Sequence, residues 1–457
     1  MKFQHKSARI AIGFLALACF VRPAGAAGPM FTADQLRADL VEIERALRDM
    51  PPDLSYTAQV AELERRIRGL HASLGHAAPM DRDAAWRMFS TLNPVLADGH
   101  LFIGYVDWRG DTQAHRSAGG SLFPFEVDVD ADCNLRVRAE LGGRASPLAE
   151  ARVRTVNGLP SRALCEEMME RAHGETRAFR AALLSRRFWF FYWKLHGAPP
   201  QFEIALEESR AQVFPASREV PEFLANEMHF DRQFRLQFMD GESAAVLTLG
   251  TFDWPESKQV ADFTRAAFEE MRARKVRTLI IDLRDNGGGS DEIWIDNVMP
   301  YLATKPYRTA SSYRKRVVVA NPQRFEVAGS IVDGEIETWR QPQPDNPLRF
   351  TGKVLVAVSP YTYSSAVVFC NVMQNFGFGL IAGTGDSVRA GQTGGVRRTT
   401  LTNTGLAVNA PRFVLSRPSG IKQPLFLTPD LPFDHRRALN SLSGDGILEE
   451  TITTSAR

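Results

Sequence analysis

Two turns that follow apolar stretches of the sequence carry residue types suited to catalysis. In the first, three glycines at positions 287–289 come shortly after the apolar residues 278–283, which have the pattern of a strand buried on both faces. Glycines at such a place free backbone N–H groups to point at one spot, where they can bind a developing oxyanion or a phosphate. This turn is therefore a candidate anion-binding loop.

The second turn contains two adjacent serines, Ser364 and Ser365, between the apolar residues 354–358 and a helical stretch that begins near residue 366. A serine at a strand-to-helix turn lies at the positive end of the helix dipole, where free N–H groups favour anionic intermediates. Serine is also a preferred helix N-cap. The pattern alone thus allows either a nucleophile or a simple cap.

Several other site motifs are absent from the sequence. It contains no Walker loop, no Gly-x-Gly-x-x-Gly after a strand, no His-Glu-x-x-His helix and no Gly-x-Ser-x-Gly elbow. Nucleotide-binding, nicotinamide-dependent, zincin and ordinary α/β-hydrolase interpretations therefore lose support, and no metal, nucleotide or organic cofactor is implied. Because 55 Lys and Arg nearly balance 53 Asp and Glu, no strong field favours nucleic acid as a partner.

An α/β region over residues 228–440 must position the two turns. Its β-like and helical patterns alternate, as α/β architecture requires. Between the first two strands, Val260, Phe263, Ala267 and Met271 mark one face of a helix. The predicted strands are 244–249, 278–283, 353–358 and 379–382.

Upstream of this region the patterns change twice, and the length of 457 residues predicts two to four domains. Residues 31–100 have apolar positions at helical spacing, starting after a capping-box pattern at Thr32–Gln35, and predict a helical bundle whose third helix runs from 81 to about 96. Residues 101–215 have short alternating runs with turn residues and predict strands. The aromatic run Phe188–Trp193 is expected to pack in a core or between domains, with peptide contact as the alternative.

The N-terminal residues 1–26 have the pattern of a secretory signal peptide. Three basic residues precede an apolar run at 10–21, which is too short for the roughly 20 residues of a membrane helix. Cleavage after Ala26 would remove these three residues and Arg22, and would therefore take the formal charge from +2 to −2. We therefore expect an exported protein, periplasmic or secreted, without stable membrane insertion; an uncleaved anchor is the alternative.

Three cysteines, Cys133, Cys165 and Cys370, follow the signal segment. Their wide spacing makes neither a disulfide framework nor a zinc pattern. One disulfide or three free thiols are both compatible with the sequence.

Together, the motifs resemble the tail-specific or C-terminal processing serine peptidases, and among them the tricorn-like branch that uses histidine. The segment 151–164 is similar to the strand, turn and helix start of a PDZ-like domain, whose free strand edge receives extended peptides. The other motifs that carry the resemblance are Asp98-Gly99-His100, Asp282-Leu-Arg-Asp-Asn-Gly-Gly-Gly289, Thr362-Tyr-Ser-Ser-Ala366, Gly383-Thr-Gly385, Leu401-Thr-Asn-Thr-Gly-Leu406 and Thr428-Pro-Asp430.

The resemblance implies a fold and individual roles. The fold class is α/β (mixed α+β, multidomain): a helical N-terminal region, a PDZ-like middle and a C-terminal peptidase core related to the crotonase-like ββα superhelix. Ser364 falls at the nucleophile position and His100 at the general base of the tricorn-like branch. The N–H groups of Gly288 and Ser365 fall where the family builds its oxyanion hole.

Two positions depart from the family pattern. Arg389 stands about 25 residues after Ser364, where the Ser-Lys branch has its lysine, and arginine cannot serve as a base because it does not lose its proton. Gln423 stands where the histidine-using branch has a glutamate. Its amide could still orient His100 by accepting a hydrogen bond, although a surface position for Gln423 is the alternative.

The leading hypothesis is an exported serine endopeptidase that hydrolyses unfolded or extended polypeptides through an acyl-enzyme. A catalytically degenerate family member that binds a peptide or a small ligand is the first alternative, motivated by Gln423 and Arg389. A serine hydrolase that acts on small esters with the same residues is the second. The oligomeric state is left open.

Overall fold

The computed structural model describes residues 28–207, 209–239, 243–437 and 439–442. The predicted signal segment, residues 1–26, lies outside these ranges. None of the helices within them combines the length and the apolar character needed to cross a bilayer.

Helices make up the N-terminal part, as the sequence predicts for residues 31–100. The first begins at a capping box in which the Thr32 and Gln35 side chains each accept from the other residue's N–H, and its apolar face is fully buried. The predicted third helix is broken into two with a 3-10 turn between them, close to Pro94, whose ring nitrogen lacks an N–H. The helices are α1 Ala33–Asp49, α2 Val60–Leu74, α3 Arg82–Phe89 and α4 Asn93–Leu96.

The middle part contains two small antiparallel sheets and three helices. Strands β2 and β3 pair with each other, and the second sheet has the order β5-β4-β6-β7. A PDZ-like identity for this part stays a prediction. Its elements are β1 Phe102–Tyr105, α5 Trp108–Ser117, β2 Phe125–Val129, β3 Leu135–Glu140, β4 Val153–Val156, β5 Leu159–Pro160, α6 Ser161–Met169, α7 Arg177–His196, β6 Gln201–Leu206 and β7 Gln212–Pro215.

The long helix α7 carries the aromatic run. Residues 188–192 are buried in the core, as expected for packing, and Phe190 and Phe191 also line a cavity. The helix is interrupted at Arg187, whose φ of −136° and ψ of 19° are not helical. A disulfide joins Cys133 to Cys165, whereas Cys370 is free and buried.

The C-terminal part has the predicted α/β architecture, and the α/β class is confirmed. Its elements are α8 Glu222–Glu227, α9 Phe230–Gln233, β8 Phe234–Phe238, β9 Ala244–Leu249, α10 Ser257–Ala273, β10 Thr278–Asp282, α11 Asp291–Asn297, α12 Met299–Leu302, β11 Ser312–Arg316, β12 Ile331–Glu335, β13 Lys353–Ala357, α13 Ser365–Asn375, β14 Leu380–Gly383, β15 Gln392–Gly394, β16 Arg397–Thr400, β17 Leu406–Ala410, β18 Phe413–Leu415 and β19 Leu431–Pro432.

A six-stranded sheet of order β19-β14-β13-β10-β9-β8 forms the core of this part. The four strands predicted from apolar runs, β9, β10, β13 and β14, lie side by side and parallel at its centre. The last residues of β10 and β13, Asp282 and Ala357, are direct partners. The glycine turn and the serine turn therefore leave the sheet at the same edge.

Two further sheets bring distant segments to that edge. Strand β1, which begins two residues after His100, pairs with β17 in the C-terminal part, and the sheet has the order β1-β17-β16. Strand β15, which contains Thr393, is the edge strand of the sheet β12-β11-β18-β15. The pairing of β1 with β17 thus joins the segment that carries His100 to the C-terminal part of the chain, where Thr393 lies.

Candidate active site

Ser364 occupies the tight turn between β13 and α13. Its backbone has φ 54° and ψ −126°, a region that a residue with a Cβ adopts at a cost of about 1–3 kcal/mol. The turn is held in place because Tyr363 N–H donates to the Asn286 carbonyl at 3.1 Å and the Thr362 hydroxyl donates to the Leu283 carbonyl at 2.8 Å. The glycine loop and the serine turn therefore support each other.

His100 lies over this serine. The distance from its Nε2 to the Ser364 Oγ is 3.1 Å, and its Nδ1 lies 2.9 Å from the Thr393 hydroxyl. The imidazole is largely buried, with 14% of the side chain exposed. Burial lowers the pKa of His100 below its usual value, partly opposed by the Asp98 carboxylate, so the ring is neutral at pH 7.

Asp98 anchors the far side of this arrangement. It is completely buried, and its Oδ1 accepts from the His100 backbone N–H at 2.7 Å and from the Thr393 hydroxyl at 3.0 Å. Since Asp98 Oδ1 is 4.0 Å from His100 Nδ1, Thr393 bridges the two. A carboxylate only accepts, so the Thr393 proton points to Asp98 and its oxygen accepts Nδ1–H. Nε2, which faces Ser364, therefore carries no proton.

The hydroxyl of the second serine, Ser365, is hydrogen-bonded to other side chains of the protein. The Ser365 hydroxyl is buried, accepts from Trp294 Nε1 at 2.9 Å and donates to Asp291. Its backbone N–H is the first of α13, where no intrahelical acceptor exists. Ser365 thus offers a backbone donor beside Ser364, and its hydroxyl is already engaged.

Gly288 lies directly against the nucleophile candidate. A Cβ placed on it would be 2.6 Å from Ser364 Cβ and 3.1 Å from Ser365 N, and its φ is +107°. Its N–H, however, donates to the Asn286 side-chain oxygen at 2.8 Å. Gly288 therefore lies beside Ser364, but its backbone N–H is already hydrogen-bonded to Asn286.

The structure places Gln423 and Arg389, the two residues that depart from the family pattern, in different surroundings. Gln423 lies in an exposed stretch and is not among the hydrogen-bond partners of His100, whose Nδ1 contacts Thr393 instead. The predicted orienting role of Gln423 therefore has no geometric support. The Arg389 guanidinium lies over the rings of Tyr56 and Phe426, in keeping with the expectation that it is not the base.

Tyr363 and Glu175 extend the polar network behind Asp98. The Tyr363 hydroxyl accepts from Gly99 N–H at 3.0 Å and lies 3.3 Å from Asp98 Oδ1 and 3.1 Å from Glu175 Oε1. Burial raises the pKa of Glu175 to about 8, and the Asp98 charge adds to the effect. A tyrosine has one proton to donate, so a protonated Glu175 donating to Tyr363 lets Tyr363 donate to Asp98.

Sequence reasoning missed Thr393, Tyr363 and Glu175 and assigned no role to Asp98. Asp98 stands two residues before His100, and Tyr363 stands next to Ser364, so both had a local signal. Thr393 and Glu175 had none, because only the fold brings them to the site.

A cavity of about 320 Å³ adjoins this cluster. Gly99, His100, Gly287 and Tyr363 form the wall on the catalytic side. The remaining wall contains several aromatic side chains, among them Trp108, Phe190 and Tyr361, and four arginines.

Comparison with known proteins finds one family profile and several solved structures that resemble the chain. Residues 243–432, which include both turns, match the sequence profile described as peptidase family S41. The chain is similar in fold to mature CPAF, with a TM-score of 0.62 and 14% identity over 92% of this chain and 96% of that one. Mature CPAF complexed with lactacystin gives a TM-score of 0.62 and 13% identity, covering 92% and 97%. The photosystem II D1 C-terminal processing protease gives 0.45 and 17%, covering 89% and 94%. No curated protein sequence matches the chain.

Proposed function

Since residues 243–432 match the profile described as peptidase family S41, we propose that this chain is a serine endopeptidase that hydrolyses unfolded or extended polypeptides through an acyl-enzyme on Ser364. One observation carries the proposal: Ser364, His100, Thr393 and Asp98 form a continuous hydrogen-bonded series. A nucleophile, a base and an orienting pair are the parts that acyl transfer needs.

In the acylation step, Ser364 Oγ attacks the carbonyl carbon of the scissile bond while His100 Nε2 takes its proton. The imidazolium that forms keeps Nδ1–H on Thr393, and the Asp98 carboxylate stabilises its charge from 4.0 Å. The C–N bond then breaks, and Nε2 gives the proton to the leaving amine. In the second step, water attacks the ester with the same base and Ser364 is released.

The negative oxygen of the tetrahedral intermediate needs backbone donors. The Ser365 N–H lies at the N-terminus of α13, where the helix dipole adds to its effect. Gly288 N–H, shared with Asn286 at 2.8 Å, is the second candidate and would contribute as a bifurcated donor.

Export is the second part of the proposal. It is supported by the signal pattern of residues 1–26 and by the disulfide between Cys133 and Cys165, since disulfides persist in oxidising compartments. The reason for proposing a degenerate, binding-only protein is weakened, because the site has an orienting pair, Thr393 and Asp98, that does not involve Gln423.

Fluorophosphonate labelling of the purified protein, with the labelled peptide mapped, tests the assignment. We expect the label on Ser364, and loss of both the label and the digestion of denatured casein in Ser364→Ala. Ser365→Ala is the matched control, because its hydroxyl is buried and its backbone donor is retained. Labelling without casein digestion would indicate an esterase, and no labelling would indicate a binding protein.

A further inference from the structure

The cavity beside His100 is built to receive a part of the substrate. Gly287 and Tyr361, which line it, belong to the two turns that hold the reacting groups. A residue close to the scissile bond can therefore enter the cavity while its carbonyl carbon lies at Ser364. Its volume of about 320 Å³ is at the lower end for ligand sites, enough for one side chain or a peptide end.

The charges that line the cavity are mainly positive. The lining contains one carboxylate, that of Asp107, and four arginines: Arg109, Arg171, Arg187 and Arg398. Asp107 accepts from the Gly110 N–H at 2.8 Å and caps α5. Arg109 is neutralised by two hydrogen bonds to Glu227, at 2.6 and 2.8 Å. The pKa of His173, which also lines the cavity, is lowered to about 3 by burial, so it adds no charge.

Arg187 is the arginine of this group whose surroundings point to a bound ligand. Its backbone breaks α7, and its guanidinium lies 4.4 Å from the Trp108 ring centroid, beside the cavity. Its Nε is buried without a hydrogen-bond partner, and within the described ranges no carboxylate lies at ion-pair distance from it. Tyr361 lies beside it, and the Glu227 carboxylate acts on its charge from farther away but is already bound by Arg109. A buried charge without a carboxylate in contact is costly, so a ligand that supplies such a carboxylate gains a strong interaction.

We propose that Arg187 binds a carboxylate of the polypeptide substrate in this cavity and so gives the peptidase a preference for an acidic group near the cleaved bond. The inference rests on the proposed peptidase activity of Ser364. The carboxylate comes either from an aspartate or glutamate side chain or from the C-terminus of the polypeptide. Aromatic walls exclude water around it, which strengthens a charge-assisted hydrogen bond.

The test uses internally quenched peptides that differ at one position. Glutamate is placed in turn at each of the four residues on either side of the cleaved bond, and each peptide is compared with its glutamine counterpart. Each is made with a free and an amidated C-terminus. We expect wild-type kcat/KM to favour the carboxylate about 10- to 100-fold at one position or at the free C-terminus, the range of a buried charge-assisted pair.

Substitution assigns the preference to Arg187. Arg187→Gln should remove it, by slowing cleavage of the acidic substrate far more than that of the neutral one, and Arg187→Lys should retain part of it. Arg186→Gln is the matched control, because that neighbour pairs with Asp285 and does not line the cavity; it should leave the ratio unchanged. Thermal unfolding and fluorophosphonate labelling of each variant report on folding and on an intact Ser364.

The outcomes separate the two proposals. A wild-type protein that cleaves glutamate and glutamine peptides equally at every position, with free and amidated ends alike, contradicts the inference and leaves the peptidase assignment standing. A preference that persists in Arg187→Gln also contradicts it. Absence of both cleavage and labelling would instead overturn the peptidase assignment. The absence of a preference in the wild type contradicts the inference even if a variant does not fold, and Arg187→Lys carries the assignment if Arg187→Gln does not fold.

Discussion

The hydroxyl of Thr393 lies 2.9 Å from Nδ1 of His100, although the two residues are 293 positions apart in the chain. The same hydroxyl donates to the buried Asp98 at 3.0 Å. A neutral hydroxyl is thus inserted between the imidazole and its carboxylate. This arrangement fixes the tautomer of His100 and keeps the carboxylate charge away from direct contact with the ring.

Removing that hydroxyl should slow the reaction without unfolding the protein. Thr393→Val leaves a buried Nδ1–H without an acceptor, which costs about 1–3 kcal/mol. We expect kcat to fall about 10- to 100-fold with little change in KM, and Thr393→Ser to restore most of it. Gln423→Ala is the control and should keep wild-type kcat, since Gln423 is exposed. Steady-state kinetics on one unfolded substrate measure all four proteins, and wild-type rates in Thr393→Val would contradict the bridging role.

The pH dependence of kcat/KM should reflect a base that stays neutral well into the acidic range. Burial lowers the pKa of His100 from its usual 6.5, and His100 accepts a proton from Ser364 only when neutral. Activity should therefore be fully retained at pH 7 and decline only below about pH 6.5.

Asp98→Asn extends this pH test. It removes the negative charge that opposes the lowering of the His100 pKa, so the acid limb should move to still lower pH while the maximal rate falls. An acid limb above pH 7 in the wild type would show that burial does not control this histidine.

Gly288→Ala should disturb the nucleophile itself. The new methyl would lie 2.6 Å from Ser364 Cβ, at a φ of +107°, so Ser364 or the glycine loop must shift. We expect kcat to fall about 100- to 1,000-fold, the range seen when an oxyanion donor is lost. Gly119→Ala is the control, because its φ of +84° is similar but nothing lies within 4 Å. It should lose only some stability, measured by thermal unfolding, and equal losses of activity in both variants would argue against a role for Gly288 at the site.

Glu175 should make the protein less stable as the pH rises. Its folded-state pKa of about 8 is above the value of about 4.3 in an unfolded chain. Between these values the folded state binds more protons, so the free energy of unfolding decreases with pH by at most about 1.4 kcal/mol per unit. The stabilisation is complete below about pH 4 and is lost by about pH 8.

Glu175→Gln keeps a donor for Tyr363 and removes the titration. Urea unfolding at pH 5 and pH 8 should therefore show a smaller decrease in unfolding free energy for Glu175→Gln than for the wild type. Identical decreases in the two proteins would mean that Glu175 is ionised throughout this range.

The central elements could be predicted because their signals are local. The apolar runs of β9, β10, β13 and β14 give continuous buried strands, and the register of β10 on β13 places the glycine turn beside Ser364. The predicted third helix was wrong in its continuity, since the 3-10 turn and Pro94 divide it.

The sequence by itself determined the serine turn, the glycine loop and the α/β core, because each depends on residue types within a few positions of one another, whereas the choice of Ser364 and His100 rested on the resemblance to a known family. Only the tertiary structure showed that Thr393, and not Gln423, contacts Nδ1 of His100, and that Arg187 lines the cavity with no carboxylate of the described residues at ion-pair distance. Those relationships depend on the pairing of β1 with β17 and of β15 with β18 and on the break in α7. Such long-range packing leaves no periodicity in the sequence, since the residues it joins are chosen by the fold and not by their neighbours in the chain.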